Sequence, residues 1–143
     1  MTIRPARISD AATIAGLATQ LGYPSRPEEA EARLRDVMSR PENAILVADW
    51  EGTVAGWIHV AGSHHVETAP FAEILALVVD EARRSGGIGA ALVEAAAEWA
   101  GQQGFATVRV RSNVIRERAH AFYERLGFAR LKSQVVFSRS TGR

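Results

Sequence analysis

The sequence contains no cysteine, which excludes disulfides, thiolate metal sites and any cysteinyl thioester intermediate. If acyl groups are handled here, they pass directly from donor to acceptor. Lysine is scarce too, with Lys132 alone among 17 basic residues. No apolar run approaches the roughly 20 residues of a membrane helix. The opening MTIRPARISDAA lacks the apolar core of a signal peptide. The expectation is a cytoplasmic protein with no membrane partner. Nor is there an excess of one charge. A formal net charge of +1 is too balanced for a protein that grips phosphate backbones, so no nucleic-acid partner is expected. Internal repeats, low-complexity tracts and linkers are also missing.

What is present is enough for one globular domain over 1–143. Apolar residues make up 47% and charged residues 23%, so the chain can bury a core. TIRPAR reads as a short strand whose proline suits an edge. SDAATIAGLATQLG starts with Ser9 or Asp10 as cap, carries Ile14, Leu17, Ala18 and Leu21 at helical spacing, and stops at Gly22 and Pro24. RPEEAEARLRDVMSR is a second helix, with Pro27 in its first turn and Glu28 and Glu29 near the positive end of its dipole. NAILVADWEGTVAGWIHVAG is a hairpin split at Glu51 and Gly52. FAEILALVV is an interior strand, apolar on both sides.

A glycine-rich turn and a helix striped by Ile88, Leu92, Ala95, Ala96 and Trp99 come next, ended by Gly101 or Gly104. FATVRVRSN is a further strand. RERAHAFYERLGF is a helix stopped by Gly127, with His120 on its exposed side, and ARLKSQVVFSR is a last strand or hairpin. The fold class is α/β, a mixed sheet flanked by helices in the order β-α-α-β-β-β-α-β-α-β. The strand–helix–strand unit over 71–112 predicts a right-handed parallel crossover.

VVDEARRSGGIGAALV carries the chemistry. The first N–H groups of a helix have no internal partner, and with the helix dipole they form an anion site. Gly86, Gly87 and Gly89 remove the side chains that would hold a phosphate away, and Arg83 and Arg84 add charge-assisted donors. A tight strand-to-helix turn uses glycine for conformational reasons alone, and that reading stands beside the first. Two phosphate motifs are excluded. No lysine followed by serine or threonine comes after the glycines, so this is not a P-loop. A dinucleotide fingerprint needs glycine where Leu92 stands, and an acidic residue where the next strand ends in Arg111, Ser112 and Asn113.

This segment resembles the acetyl-CoA-binding segment of the GCN5-related N-acetyltransferase (GNAT) family, Arg/Gln-x-x-Gly-x-Gly/Ala opening a helix. Arg84, Gly87 and Gly89 match it. NVIRERAHAFYERLGF is similar to the family's second signature, an asparagine followed by a helix ending Phe-Tyr-x-x-x-Gly-Phe. The resemblance covers nearly the whole chain and is specific over roughly 71–128.

The resemblance implies acetyl-CoA as co-substrate and no metal. It implies a diphosphate held by Arg84, Ser85, Gly86, Gly87, Ile88, Gly89 and Ala90. The pantetheine arm would lie along the backbone of Leu77, Val78 and Val79, with Asn113 a further contact. Tyr123 matches the general acid that protonates the departing thiolate, and a phenol near pKa 10 keeps its proton until then. Position 123 also lies on the apolar stripe of its helix, so a core tyrosine is the other reading. Glu73, six residues before Val79, stands where some members carry the base that deprotonates the acceptor ammonium. A strand-end carboxylate facing solvent or pairing with an arginine is the alternative.

His64, His65 and Glu67 border the expected acceptor site, as do Tyr23 and Arg26 in the turn between the first helices. Each also reads as an ordinary loop residue, and no further ligand spacing supports a metal. Trp57 faces either the acceptor cleft or the core, and His59 lies in the hairpin. The expected activity is transfer of acetyl to a primary amine, on a small molecule or an exposed amine, by direct attack in a ternary complex. The alternatives are a non-catalytic acyl-CoA sensor and an unrelated α/β nucleotide-binding domain. A homodimer is left open.

Overall fold

The computed structural model describes residues 1–84, 86–112 and 114–143. Their elements are β1 (Thr2–Pro5), α1 (Ala11–Gln20), α2 (Pro27–Met38), β2 (Asn43–Trp50), β3 (Thr53–Ser63), β4 (Phe71–Val79), α3 (Ile88–Gln102), β5 (Val108–Val110) and α4 (Glu117–Arg125), with 3₁₀ turns at Ile8–Asp10 and Glu81–Arg83. The chain divides into two compact units, Met1–Arg111 and Ser112–Arg143.

The first unit is a five-stranded sheet in the order β1-β2-β3-β4-β5. Neighbours are antiparallel through β4, and β4 pairs with β5 in parallel. The strand containing Pro5 lies at the edge, where a missing N–H costs least. The β2–β3 hairpin turns at Glu51 and Gly52, both with positive φ (51° and 87°), as a two-residue turn matched to strand twist requires. Gly52 donates its N–H to Asp49 Oδ1 at 2.8 Å, which fixes the turn.

Facing residues of an antiparallel pair share a face, which sorts the sheet. A Cβ on Gly56 would lie 3.1 Å from Ile88 and 3.2 Å from Leu92, and one on Gly62 would strike Phe105, so Gly56 and Gly62 face α3. Ile58 and Val60 alternate onto the same side and, with Leu92, Val93 and Ala96, are fully or nearly fully buried. Trp57 and His59 therefore face the other side. There α1 and α2 bring Ile14, Leu17 and Leu34 onto Val47 and Val78.

Local signals explain the helix limits. Pro27 opens α2, and Glu29 Oε1 accepts from the Arg26 N–H at 3.0 Å. After α1, Tyr23 N–H returns to Ala18 O (3.2 Å) and Gly22 N–H to Thr19 O (3.0 Å), a Schellman closure. The same closure ends α3 at Gly104 rather than Gly101. Before α1, Asp10 does not cap by its side chain. It instead accepts from Arg7 N–H (2.7 Å) and from Arg4, whose Nε also donates to Asp49 at 3.0 Å.

The second unit contains α4. The expected apolar stripe places Ala119, Phe122, Tyr123 and Leu126 half-buried, whereas Ile115 precedes the helix and is exposed. His120 is half-buried rather than exposed. The mixed sheet with flanking helices is as expected. The final strand of the expected order differs: no strand is assigned over 129–139 among the described residues. Alternating apolar residues suit that stretch to a strand, but a strand also needs a paired neighbour.

Candidate active site

The strand-to-helix turn after β4 is built in three steps. Asp80 accepts from Ala82 N–H at 3.2 Å, starting the 3₁₀ turn. Gln20, at the end of α1, clasps the turn from outside: its Oε1 accepts from Glu81 N–H at 2.9 Å and its Nε2 donates to Asp80 Oδ1 at 3.4 Å. Arg83 then lies over the Trp50 ring, 5.4 Å from its centroid.

Gly87 is the N-cap of α3, with φ 81°, and no side chain caps the helix. That left-handed conformation favours glycine, and nothing lies within 4 Å of where a Cβ would sit. At Gly87 the helix mouth is open among the described residues, while a Cβ on Gly86 would meet Arg83 O at 3.2 Å. The N–H groups that begin α3 have no acceptor inside the helix and point to an anion position. Arg84 beside them is exposed and only loosely paired with Glu81, at 4.0 Å. Ile88 is buried beneath the mouth, so it offers a ligand only its main chain. Gly86, Gly89 and Ala90 surround the same mouth, while Ser85 and Asn113 lie outside the described residues.

The strand leading into this turn is irregular at Leu75. His59 faces Ala76 and Val60 faces Ile74, so Leu75 has no counterpart on β3, a bulge. On the other side, β4 pairs with β5 only through Ala72, Glu73 and Ile74. From Leu75 to Val79 no β5 residue pairs with β4 among the described residues, so the strand edge there lacks a ladder partner within its own sheet. Leu77, Val78 and Val79 lie on this stretch. The Val78 side chain packs in the core with α1, which again leaves only backbone for a ligand.

Glu73 faces Ala61 and thus lies on the same sheet face as Trp57 and His59. Its Oε1 accepts from Arg111 Nε at 2.6 Å, and Arg111 is far more exposed than the carboxylate. Both parts of the alternative drawn from the sequence, a strand carboxylate and an arginine partner, are therefore present. The loop histidines are held by neighbours. His65 stacks on Phe71 (5.2 Å between centroids) and bonds to Ser63 Oγ (2.7 Å), and His64 meets Phe105 edge-on. Glu67 is exposed.

A cavity of about 520 Å³ lies between α1, α2 and the Trp57–His59 face. Tyr23 lines it; Arg26 does not, being paired with Glu28 and Glu29 at the start of α2. Arg33 lines it instead. Arg33 was legible in principle, because it falls on the stripe Ala30, Leu34 and Val37 that turns toward the sheet. His59 Nε2 lies 2.7 Å from Asn43 Oδ1, and burial lowers the imidazole pKa. The ring is therefore neutral, donating to Asn43.

In the second unit, Tyr123 is placed by the residues that end its helix. Gly127, at φ 93°, lets Phe128 N–H return to Tyr123 O at 3.0 Å. This closure brings the Phe128 ring to 5.6 Å from the Tyr123 ring, edge to face, with Phe122 at 5.1 Å. The spacing Phe-Tyr-x-x-x-Gly-Phe thus has a local mechanical meaning. Burial raises the phenol pKa above 10.0, opposed by the positive charge of Arg116.

The sequence matches the acetyltransferase (GNAT) family over residues 11–128. It is 31% identical over 134 residues to an uncharacterized N-acetyltransferase of Bacillus subtilis, YhfO, covering 90% of this chain and 89% of that protein. A putative acetyltransferase from Agrobacterium tumefaciens is 25% identical with a TM-score of 0.88, over 97% of this chain and 100% of that one. Two further structures share the fold. The aminoglycoside 6'-N-acetyltransferase of Acinetobacter haemolyticus is 20% identical (TM-score 0.85; 98% and 99% covered). The glucosamine-6-phosphate N-acetyltransferase of Arabidopsis thaliana is 23% identical (TM-score 0.83; 97% and 98% covered). The family pattern spans most of the chain, from the start of α1 to the phenylalanine that closes α4, and the chain belongs to the acetyltransferase (GNAT) family.

Proposed function

We propose that this protein is an acetyl-CoA-dependent N-acetyltransferase that passes acetyl to the primary amine of a small acceptor by direct attack. The observation that carries the reading is a conjunction on one strand. β4 loses its β5 partner after Ile74, and the same strand runs into an open, uncapped helix mouth. A long ligand with a diphosphate at one end and an amide-bearing arm suits those two features together. Acetyl-CoA supplies an activated acyl group with a thiol leaving group.

The chain's residues take the following roles. The N–H groups from Arg84 to Ala90 hold the diphosphate, with the Arg84 side chain adding charge. The main chain from Leu77 to Val79 orients the arm, and Asn113 contributes a further contact. Glu73 takes the proton of the acceptor ammonium, directly or through water, using the oxygen not engaged by Arg111. Tyr123 returns a proton to the departing sulfur. A phenol shifted upward by burial stays protonated at neutral pH, as an acid in that role must. The cavity volume of about 520 Å³ suits a small molecule, and so the acceptor is assigned to that class.

Two measurements on the purified protein test this. Calorimetry with coenzyme A should give saturable binding that Arg84→Ala weakens about tenfold, the loss of roughly one charge-assisted contact. Thiol release from acetyl-CoA should rise with an amine panel and fall about a hundredfold in Glu73→Gln. Binding without amine-dependent thiol release would favour a sensor, and no binding would end the proposal.

A further inference from the structure

The acceptor cavity has an unusual charge inventory. Among its lining residues Arg33 alone carries a formal charge, and no aspartate or glutamate is present. The other arginines of α2 and its ends have carboxylate partners: Arg26 with Glu28 and Glu29, Arg35 with Glu31, Arg40 with Asp36. Arg33 has no ion pair among the described residues. Its nearest candidate, Glu29 one turn earlier, gives its bonds to the Arg26 backbone N–H and Nε at 3.0 and 3.4 Å.

A second group also lacks a partner. Trp57 Nε1 is buried without a hydrogen-bond acceptor among the described residues, and Trp57 lines this cavity. A buried N–H left unpaired is costly, and a ligand oxygen would relieve it. The remaining wall is mainly apolar, supplied by residues such as Ile14, Leu34, Val37 and Ile45, with uncharged polar groups on Tyr23, Ser25 and His59. His59 adds no charge, since its buried ring is neutral.

We propose that the cavity recognises its acceptor through an anionic group: the substrate is a primary amine on an apolar body that also carries a carboxylate or comparable anion. This rests on the acetyltransferase reading above. The anion answers Arg33, its oxygen answers the Trp57 N–H, and the apolar body fills the space between the helices and the sheet. The amine then lies toward Glu73, on the same sheet face two positions beyond His59 along the β3 register. A polycationic acceptor is disfavoured, because it would meet the Arg33 guanidinium and no carboxylate in the cavity wall, the charge of Glu29 being shared between Arg26 and Arg33.

The test uses the full chain and titration calorimetry. The probes are phenylalanine, 4-(aminomethyl)benzoate and 6-aminohexanoate, each beside its own primary amide, with spermidine as polycation. At least one acid should bind about tenfold more tightly than its amide, as one charge-assisted contact predicts. That preference should shrink to about twofold or less in Arg33→Gln, an exposed position whose substitution spares the fold. Trp57→Phe should weaken the preferred acid about fivefold. The proposal is overturned if no acid binds, if an amide or spermidine binds as well as the acids, or if the preference survives in Arg33→Gln. Thiol release from acetyl-CoA separates the two readings. Selective acid binding without thiol release sinks the acetyltransferase reading and leaves the anion-selective cavity. Thiol release as fast with spermidine or the amides as with the acids does the opposite.

Discussion

Ile74 on β4 pairs with Val110 on β5, and that pair is the last rung between the two strands. The bulge that leaves Leu75 without a β3 counterpart begins at the next residue. One strand thus loses register on one side and its partner on the other at a single point, four residues before it ends at Val79.

The helix mouth beyond it depends on Gly87. At φ 81° any side chain is strained by roughly 1–2 kcal/mol, although space is available. Gly87→Ala should lower the thermal midpoint by about 3–6 °C. Gly87→Asn should lower it less, since asparagine tolerates that conformation. Scanning calorimetry decides, and equal midpoints for wild type and Gly87→Ala would show that the turn relaxes freely.

Gly56 and Gly62 give a matched pair. A Cβ on Gly56 would sit 3.0 Å from Val78 O and close to Ile88 and Leu92, the first turns of α3. A Cβ on Gly62 would strike only the Phe105 ring, at 2.5 Å from its tip. Both alanine variants should lose about 1–3 kcal/mol by overpacking, measured by urea unfolding. Only Gly56→Ala displaces the mouth of α3, and so only it should raise the KM for acetyl-CoA. An equal rise in both would mean that general loosening, not the mouth, governs that KM.

Asp10 anchors the start of α1 to the edge strand through Arg4. The Arg4 hydrogen bond, outweighing the cost of burial, holds the Asp10 carboxyl below its ordinary value of 3.8. A depressed carboxylate stabilises the fold at pH above the unfolded value and loses that contribution as pH falls through the folded one. The wild-type unfolding midpoint should therefore fall below about pH 4, more steeply than that of Asp10→Asn. At pH 7 Asp10→Asn should be about 1.5–3 kcal/mol less stable. Parallel pH curves for the two proteins would remove Asp10 from the acid response.

Tyr123→Phe keeps the ring contacts with Phe122 and Phe128 and removes only the hydroxyl. Turnover should fall by about 10²–10⁴ with the KM for acetyl-CoA within about twofold. An acid acts while protonated, so its contribution is lost as pH rises through its pKa. Burial places that pKa above 10.0, and the wild-type rate should show no loss from this group at lower pH. A falling limb near pH 8 that disappears in Tyr123→Phe would contradict the buried phenol.

Much of this was legible because it is written in local residues. The capless glycine mouth, the Pro27 start of α2, the Glu51–Gly52 turn and the Gly127 closure each follow from what one residue's backbone permits. What escaped is set by partners distant in sequence. FATVRVRSN alternates through Ala106–Arg111, yet among the described residues only Val108–Val110 is strand, and its pairing with β4 ends at Ile74, where β4 bulges. The apolar pattern over 129–139 states suitability for pairing and nothing about a mate. The place of Arg26 in the turn makes it an expected acceptor-side cation. Arg26 is occupied at a helix start, and Arg33, about two turns further on, reaches the cavity.

Gln20 links two regions that the chemistry treats separately. Its amide closes on Asp80 and Glu81 at the foot of the glycine turn, while the helix it ends supplies Ile14, Ala15 and Ala18 to the cavity. A shift of α1 can therefore reach the turn by two hydrogen bonds as well as through its packing on Val78. Any change in affinity that this tether carries must be the same in both directions. Whatever factor a guest in the cavity imposes on a ligand at the turn, that ligand imposes in return.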